Sequence, residues 1–274
     1  MKTQFRTFVK TLGDRVLPDN LYFKVLPPLF LFGNSARHGS KTRFSIAENG
    51  LYRASDPDGK EIFFCERTRF RLYHYPKGTR GRIQEIVEKY QNEDVGVRVQ
   101  PSDLVLDIGA NIGEFSCGIS SIARRIFAIE PDPTVFPCLV QNIGSKENVS
   151  AHQIALSNEN GKADFYLSTK DADSSLVQPR AFSKVVNIRV QTLDAFIKQA
   201  GLERVDFLKI EAEGWEPEIL AGAIQTLKRV RAVAVDAGPE RYGTDTVDDV
   251  QAVLRAVGFD VFELNQIVFG RRSS

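Results

Sequence analysis

The sequence predicts an α/β fold, a mostly parallel sheet with helices on both faces, joined to a small N-terminal α+β appendage. Three observations predict it. After Pro101 short apolar runs alternate with stretches of helical period, as in successive βαβ units. The runs at 104–108 and 205–210 are apolar along nearly their whole length, as strands covered on both faces must be. Before Pro101 the punctuation differs. There Asn49-Gly50 and Asp58-Gly59 are hairpin pairs between short strand-like runs.

The elements follow in order. Residues 1–33 read as a helical segment with Phe5, Phe8, Val9, Leu12 and Val16 on one face, a stripe that packs on its own domain or touches a membrane surface. Strand signals occupy 44–72, and 81–90 return to a helical pattern through Ile83, Ile86 and Val87. Residues 1–100 thus form the appendage, a candidate substrate cap, and 101–274 the main domain. In the main domain, strand 104–108 precedes a helix over 114–123, and strand 126–129 leads to an Asp132-Pro133 helix start. A third strand spans 150–156. Asn160-Gly161 turns into 163–167, another strand covers 185–190, and Thr192 opens a short helix. Strand 205–210, helix 216–230, strand 232–235, helix 247–257 and strands near 261–264 and 267–269 complete the chain.

Composition excludes several classes. With 42% hydrophobic and 26% charged residues in 274, the chain is neither disordered nor fibrous. The apolar stretch 26–32 is broken by Pro27 and Pro28 and is far short of the roughly 20 residues that cross a bilayer. Cys65, Cys117 and Cys138 are odd in number and contain no CxxC pair, so neither a disulfide framework nor a thiolate zinc site is expected. A cytoplasmic location is the expectation. The net charge of +1 conceals an asymmetry: residues 1–100 carry 18 basic against 11 acidic side chains, and 101–274 carry 18 against 24. Such a split reads as solvated faces of differing sign or as a basic segment meeting an anionic partner.

The chemistry concentrates in VLDIGANIGEF, residues 105–115, where a buried strand ends at Asp107, a glycine loop turns and a helix begins. Gly109 and Gly113 permit the turn and let backbone approach a ligand. Glu130 ends the next strand, 21 positions beyond Gly109, where an acidic side chain reaches a ribose diol. Asn111 stands where a dinucleotide fingerprint has its second glycine, which weakens a NAD reading, and no Gly-Lys-Ser/Thr phosphate loop is present. S-adenosylmethionine has no phosphates and carries a sulfonium cation, so it tolerates the acidic Asp107. The expected cofactor contacts are Asp107, Gly109, Ala110, Asn111, Gly113, Phe115, Glu130, Pro131, Ala155, Leu156 and Glu211.

With VLDIGANIGEF come IFAIEPDP (126–133), QIALSN (153–158), Ser174-Ser175-Leu176, TLDAF (192–196) and LKIEAEGWEPEILAGA (208–223), in the order of the FkbM-type methyltransferases. The sequence resembles that family over roughly 103–259, and VDAGPERYG (235–243) is similar to a subgroup found with sugar and polysaccharide biosynthesis. The resemblance implies a class I, Rossmann-like methyltransferase fold, use of S-adenosylmethionine and O-methylation of a sugar, glycan or natural-product hydroxyl. The sequence departs from the family at Glu211, usually Asp, and at Ala212, commonly Val.

An alcohol acceptor must lose a proton, which invites a general base. Glu211 and then Asp236, both just past strand ends, are the catalytic candidates. Glu213 either takes part or caps the helix near Trp215. No metal is expected, although Glu211 with Asp236 is a conceivable cation pair, because no third oxygen ligand stands out. Ser174, Ser175, Glu213, Glu240 and Arg241 are the candidate substrate contacts, for a small-molecule or glycan acceptor and not DNA. His38, His74 and His152 read as packed or surface residues, and Arg67, Arg69 and Arg71 as one strand face, solvated or anion-binding. The competing functions are methylation of RNA or protein and a cofactor-binding protein without turnover.

Overall fold

The computed structural model describes residues 41–65, 74–144, 146–168 and 173–272. The stripe of residues 1–33, His38 and the face of Arg67, Arg69 and Arg71 lie outside the described residues.

Strands β1 (Arg43–Ile46), β2 (Tyr52–Ser55) and β3 (Glu61–Phe64) form an antiparallel meander. Its turns fall at the Asn-Gly and Asp-Gly pairs, where Gly50 and Gly59 take φ of 80° and 82°. Alternation along β2 and β3 buries Tyr52, Ala54, Ile62 and Phe64. Helix α1 (Gly78–Lys89) follows.

The body is a seven-stranded sheet built from β4 (Leu104–Ile108), β5 (Arg125–Ile129), β6 (Val149–His152), β10 (Phe207–Ile210), β11 (Ala232–Asp236), β12 (Asp260–Leu264) and β13 (Ile267–Arg271). The spatial order is β12-β13-β11-β10-β4-β5-β6. All neighbours from β6 to β11 pair parallel, and β13 pairs antiparallel with both β11 and β12. The reversal comes from a two-residue hairpin whose central residues, Asn265 and Gln266, both have positive φ (53° and 68°). From β4 the chain winds outward to β6, then returns to β10 beside β4 and winds the other way. This is the Rossmann-like arrangement expected, and its switch point lies between β4 and β10.

Two hydrophobic layers sandwich the sheet. Helices α1, α2 (Glu114–Ile119) and α3 (Phe136–Ile143) join the β1–β3 meander on one face, through Tyr52, Phe64, Tyr75, Tyr90, Phe115, Ile119 and Leu139 packed on Val105, Ile126 and Phe207. On the other face, α4 (Leu193–Gln199), α5 (Glu216–Ala221), α6 (Ile224–Leu227) and α7 (Val247–Ala256) bury Phe196, Ile219, Leu227 and Leu254 against Leu106, Leu208 and Val233. Thr192 caps α4 as expected, its Oγ1 accepting from the Ala195 amide at 3.1 Å.

Three elements differ from expectation. Residues 150–156 are not one strand: β6 ends at His152, and β7 (Ala155–Leu156) joins a separate sheet with β9 (Lys184–Gln191) and β8 (Gly161–Leu167). The step between sheets contains no Gly or Pro, so the local pattern carried no break. The helix expected over 216–230 is interrupted at Gly222, where an added Cβ would lie 2.1 Å from the Ser157 carbonyl oxygen. There Asp194 accepts from the amides of Gln225 and Thr226 and starts α6 anew. The helix expected over 114–123 ends at Ile119. Among the described residues no helix is long and apolar enough to cross a membrane.

Candidate active site

The crevice at the switch point is walled by the carboxyl ends of β4, β5 and β10 together with the sheet of β7, β8 and β9. Its first wall is the glycine loop. Gly109 and Ala110 donate their amides to the Ile129 carbonyl, both at 2.9 Å, which draws the loop over β5. Gly109 has φ of 69°, and a Cβ there would lie 1.7 Å from the Glu211 carbonyl oxygen. Asn111 takes the left-handed conformation at φ 55°, which Asn adopts more readily than most side chains.

Glu130 organises this wall. Its Oε2 accepts from the Asn111 amide at 2.7 Å and its Oε1 from the Asp132 amide at 2.9 Å. Each oxygen keeps a further lone pair, so the carboxylate has capacity for ligand hydroxyls. Burial pushes the Glu130 carboxyl up to about 7, against the pull of its amide donors.

Pro131, Ile154, Ala155, Leu156, Phe165 and Leu176 make the apolar wall. Ser174 lines it and accepts from the Ser168 amide at 3.0 Å. Ser175 stands behind, donating to the Glu213 carbonyl at 2.9 Å, and so ties the segment after β8 to the turn after β10. That turn supplies Glu211, Ala212, Glu213 and Trp215 to the lining. Trp215 donates its indole N–H to the Ser157 hydroxyl at 3.2 Å. Glu213 has φ of 51°, an uncommon conformation for so long a side chain. No side chain caps α5, so Glu213 does not take the capping role; Glu216 instead braces the preceding turn, its Oε1 accepting from the amides of Ala212 and Gly214. Across the described residues, the lining contains Glu130, Glu211 and Glu213 and no lysine, arginine or histidine.

Behind the crevice runs a ladder of alternating charge. Lys209 lies opposite Asp107 in the β10–β4 register. Its Nζ is 3.2 Å from Asp107 Oδ1 and 3.3 Å from Glu211 Oε2, and it donates to the Gly109 carbonyl at 2.7 Å. Glu211 Oε1 then meets Lys89 Nζ at 3.1 Å, and Lys89 reaches Asp236 Oδ2 at 2.6 Å. The buried Tyr90 ring has the Lys89 and Lys209 ammonium groups 4.8 and 5.1 Å from its centroid, while its hydroxyl donates to Asp236 at 3.4 Å. Ser116 completes Asp107 with a 2.6 Å bond. Burial alone would raise the Glu211 carboxyl, but Lys209 and Lys89 outweigh it and hold the group far below the usual carboxylate range. Burial likewise opposes the charge on both lysines, and the facing carboxylates raise their proton affinity in spite of it. The cation pair weighed for Glu211 and Asp236 is thus bridged by an ammonium group.

The other carboxyls respond in the opposite sense. Burial, then Glu240, Asp173 and further neighbouring carboxylates, hold Glu213 well above the usual range. Burial, then Glu216, Asp236 and Glu211, push Glu240 up to about 8.

Of the expected cofactor contacts, Gly109, Asn111, Glu130, Pro131, Ala155, Leu156 and Glu211 line the crevice. Asp107 stands one layer behind in the ladder. Phe115 packs in the core against Tyr90 and Phe207 rather than lining the crevice. Ala110 and Gly113 serve the loop's turn. Of the expected substrate contacts, Ser174 and Glu213 line the crevice, whereas Ser175, Glu240 and Arg241 do not. Arg241 is engaged with the Gly214 carbonyl and the Glu218 carboxylate. Lys89, Tyr90 and Lys209 were not anticipated. A lysine inside an otherwise apolar buried strand was the signal available for Lys209.

Comparison with known proteins accords with this geometry. Residues 107–261 match the model of the methyltransferase FkbM domain. The 2-O-methyltransferase NoeI of Sinorhizobium fredii is 25% identical over 205 residues, covering 68% of this chain and 82% of that protein. The hexuronic acid methyltransferase AglP of Haloferax volcanii is 26% identical, covering 64% of this chain and 73% of its own. The 31-O-demethyl-FK506 methyltransferase FkbM of Streptomyces tacrolimicus is 26% identical, covering 61% and 76%. The crystal structure of methyltransferase FkbM from Methylobacillus flagellatus KT aligns with a TM-score of 0.47 at 18% identity, covering 73% of this chain and 53% of that one. Since the domain model spans more than half of the sequence, from the strand-end Asp107 to Val261 in β12, the protein belongs to the FkbM-domain methyltransferases.

Proposed function

We propose that the protein transfers the methyl group of S-adenosylmethionine to a hydroxyl oxygen of a sugar, glycan or natural product. The observation that carries this reading is the crevice lining: three carboxylates, no basic side chain among the described residues, and an apolar wall. Such a set fits a cationic nucleoside and disfavours a pyrophosphate. The relatives named for methylation at oxygen or on a hexuronic acid support a hydroxyl acceptor.

Glu130 would receive the ribose hydroxyls, Ile154 and Leu156 would flank the base, and Gly109 and Glu211 would face the cationic end. When bound, the cofactor supplies an electrophilic methyl group on sulfonium sulfur. The chain's residues then fix acceptor and donor in line, which is the main source of acceleration available to such a displacement. The acceptor proton needs a receiver. Glu211, paired with two lysines, is a weak base, and Asp236 is paired with Lys89. Glu213 lines the crevice and has its proton affinity raised, so we assign proton acceptance to it.

Calorimetric titration with S-adenosylhomocysteine tests the cofactor reading, and a folded sample that binds none of it would falsify that reading. A labelled-methyl screen over sugar nucleotides, glycans, lipids and RNA tests the acceptor class, with transfer confined to RNA as the adverse result. On the acceptor so found, Glu213→Gln is expected to lower kcat by 10²-fold or more, on the order of a lost general base.

A further inference from the structure

We propose that Lys89, from the helix before the main domain, is a positioning residue of the methyl-transfer site, holding the carboxylates of Glu211 and Asp236 in one fixed arrangement. The inference rests on the cofactor reading above and deepens it.

The geometry is specific. Glu211 follows β10 and Asp236 ends β11, and the parallel register, with Ile210 opposite Val235, sets these two positions side by side. Two carboxylates so placed repel each other and would splay apart or share a proton. The Lys89 ammonium sits between them, 3.1 Å from one and 2.6 Å from the other. It arrives at the carboxyl end of α1, where the helix dipole favours a cation. The next residue, Tyr90, caps the helix, is fully buried, and donates its hydroxyl to Asp236. Helix α1 therefore delivers two consecutive residues between the ends of β10 and β11. The anchoring is rigid, because the Tyr90 ring packs edge-on against Phe115, centroid to centroid 5.8 Å.

Counting charges shows what the arrangement presents. Asp107, Glu211 and Asp236 are anions, and Lys209 and Lys89 are cations, so the ladder bears one net negative charge. Glu211 is the one member of the ladder that also lines the crevice. A single negative charge held behind the cofactor's cationic end complements one sulfonium. With Lys89 absent, Glu211 keeps Lys209 and the Tyr90 hydroxyl but loses the ammonium bridge to Asp236, and its carboxylate is less firmly held toward the crevice.

Three variants separate this role from a merely structural one. Lys89→Met removes the bridge, Lys89→Arg keeps the charge, and Glu211→Gln removes the group through which Lys89 is argued to act. Affinity for S-adenosylmethionine is measured by calorimetry at pH 8, alongside thermal unfolding. The protonation of Glu211 is followed by carbon NMR on carboxyl-labelled glutamate, its signal identified by loss in Glu211→Gln. Lys89→Met is expected to bind S-adenosylmethionine about tenfold more weakly and to raise the titration of Glu211 by about one unit or more. Lys89→Arg should stay within about twofold of the parent, and Lys89→Met added to Glu211→Gln should cause no further loss. Equal or tighter binding by folded Lys89→Met, or losses that simply add in the double variant, would overturn the proposal. A parent protein that binds no S-adenosylmethionine overturns the cofactor reading instead.

Discussion

The two halves of the site are built in opposite ways. The glycine-loop half is local: the central bond, from the Asn111 amide to Glu130, spans 19 residues and uses one strand–loop–helix unit and the next strand. The ladder half is tertiary, since Lys89 lies 122 residues from Glu211 and 147 from Asp236. The first half is mostly backbone geometry around one buried carboxylate. The second is a run of side-chain charges whose balance depends on four elements arriving together. Local units tolerate change elsewhere in the chain, whereas an ion ladder fails as a whole when one rung is removed.

Substitutions can break or sharpen this contrast. The largest effect is expected at the joint between the halves. Gly109→Ala forces a Cβ onto the Glu211 carbonyl in a left-handed backbone, and should destabilise the fold by at least about 4 kcal/mol in urea unfolding. Full stability in this variant would refute the close approach. Within the ladder, Lys209→Met strands Asp107, which is fully buried, and should lower stability by about 3–5 kcal/mol.

In the local half, Glu130→Gln should leave the fold intact and weaken S-adenosylhomocysteine by about 2 kcal/mol, read by calorimetry. The pH dependence carries a sign. Burial puts the Glu130 carboxyl at about 7 in the free protein, and ribose hydroxyls favour its ionised form. Affinity should therefore climb as pH rises through about 7 and level off above, and the climb should vanish in Glu130→Gln. A flat parent profile would remove Glu130 from the cofactor contacts. The smallest effect is expected outside both halves: Thr192→Ala should remove about 1 kcal/mol of stability through loss of the α4 cap, with ligand affinity unchanged.

The same contrast explains what could be read from residues alone. The parallel sheet was legible because its central strands, buried on both faces, are apolar at most positions, and Gly109, Asn111 and Glu130 were legible because their spacing is fixed by one βαβ unit. Thr192 announced its helix by residue type. Phe115 was misplaced because its position next to the loop says nothing of which way its ring points, and the ring turns into the core with Tyr90. Lys89 and Tyr90 looked like the ordinary end of an amphipathic helix, and only the packing of α1 on α2 gives them partners across the sheet. Arg241 followed a strand end, as a substrate contact would, yet the turn carbonyl of Gly214 and the Glu218 carboxylate claim its guanidinium. The step from β6 to β7 escaped notice because a change of sheet needs no turn residue when side-chain packing directs it.

Trp215 gives the crevice a property of another kind. It is the single tryptophan in 274 residues, it lines the pocket, and its indole N–H is tied to Ser157. Excited at long ultraviolet wavelengths, where the seven tyrosines absorb little, the protein emits from that one place. Occupancy of the crevice can thus be followed optically, without a label, and the rates of ligand arrival and departure become measurable in a rapid mixer before any acceptor has been identified.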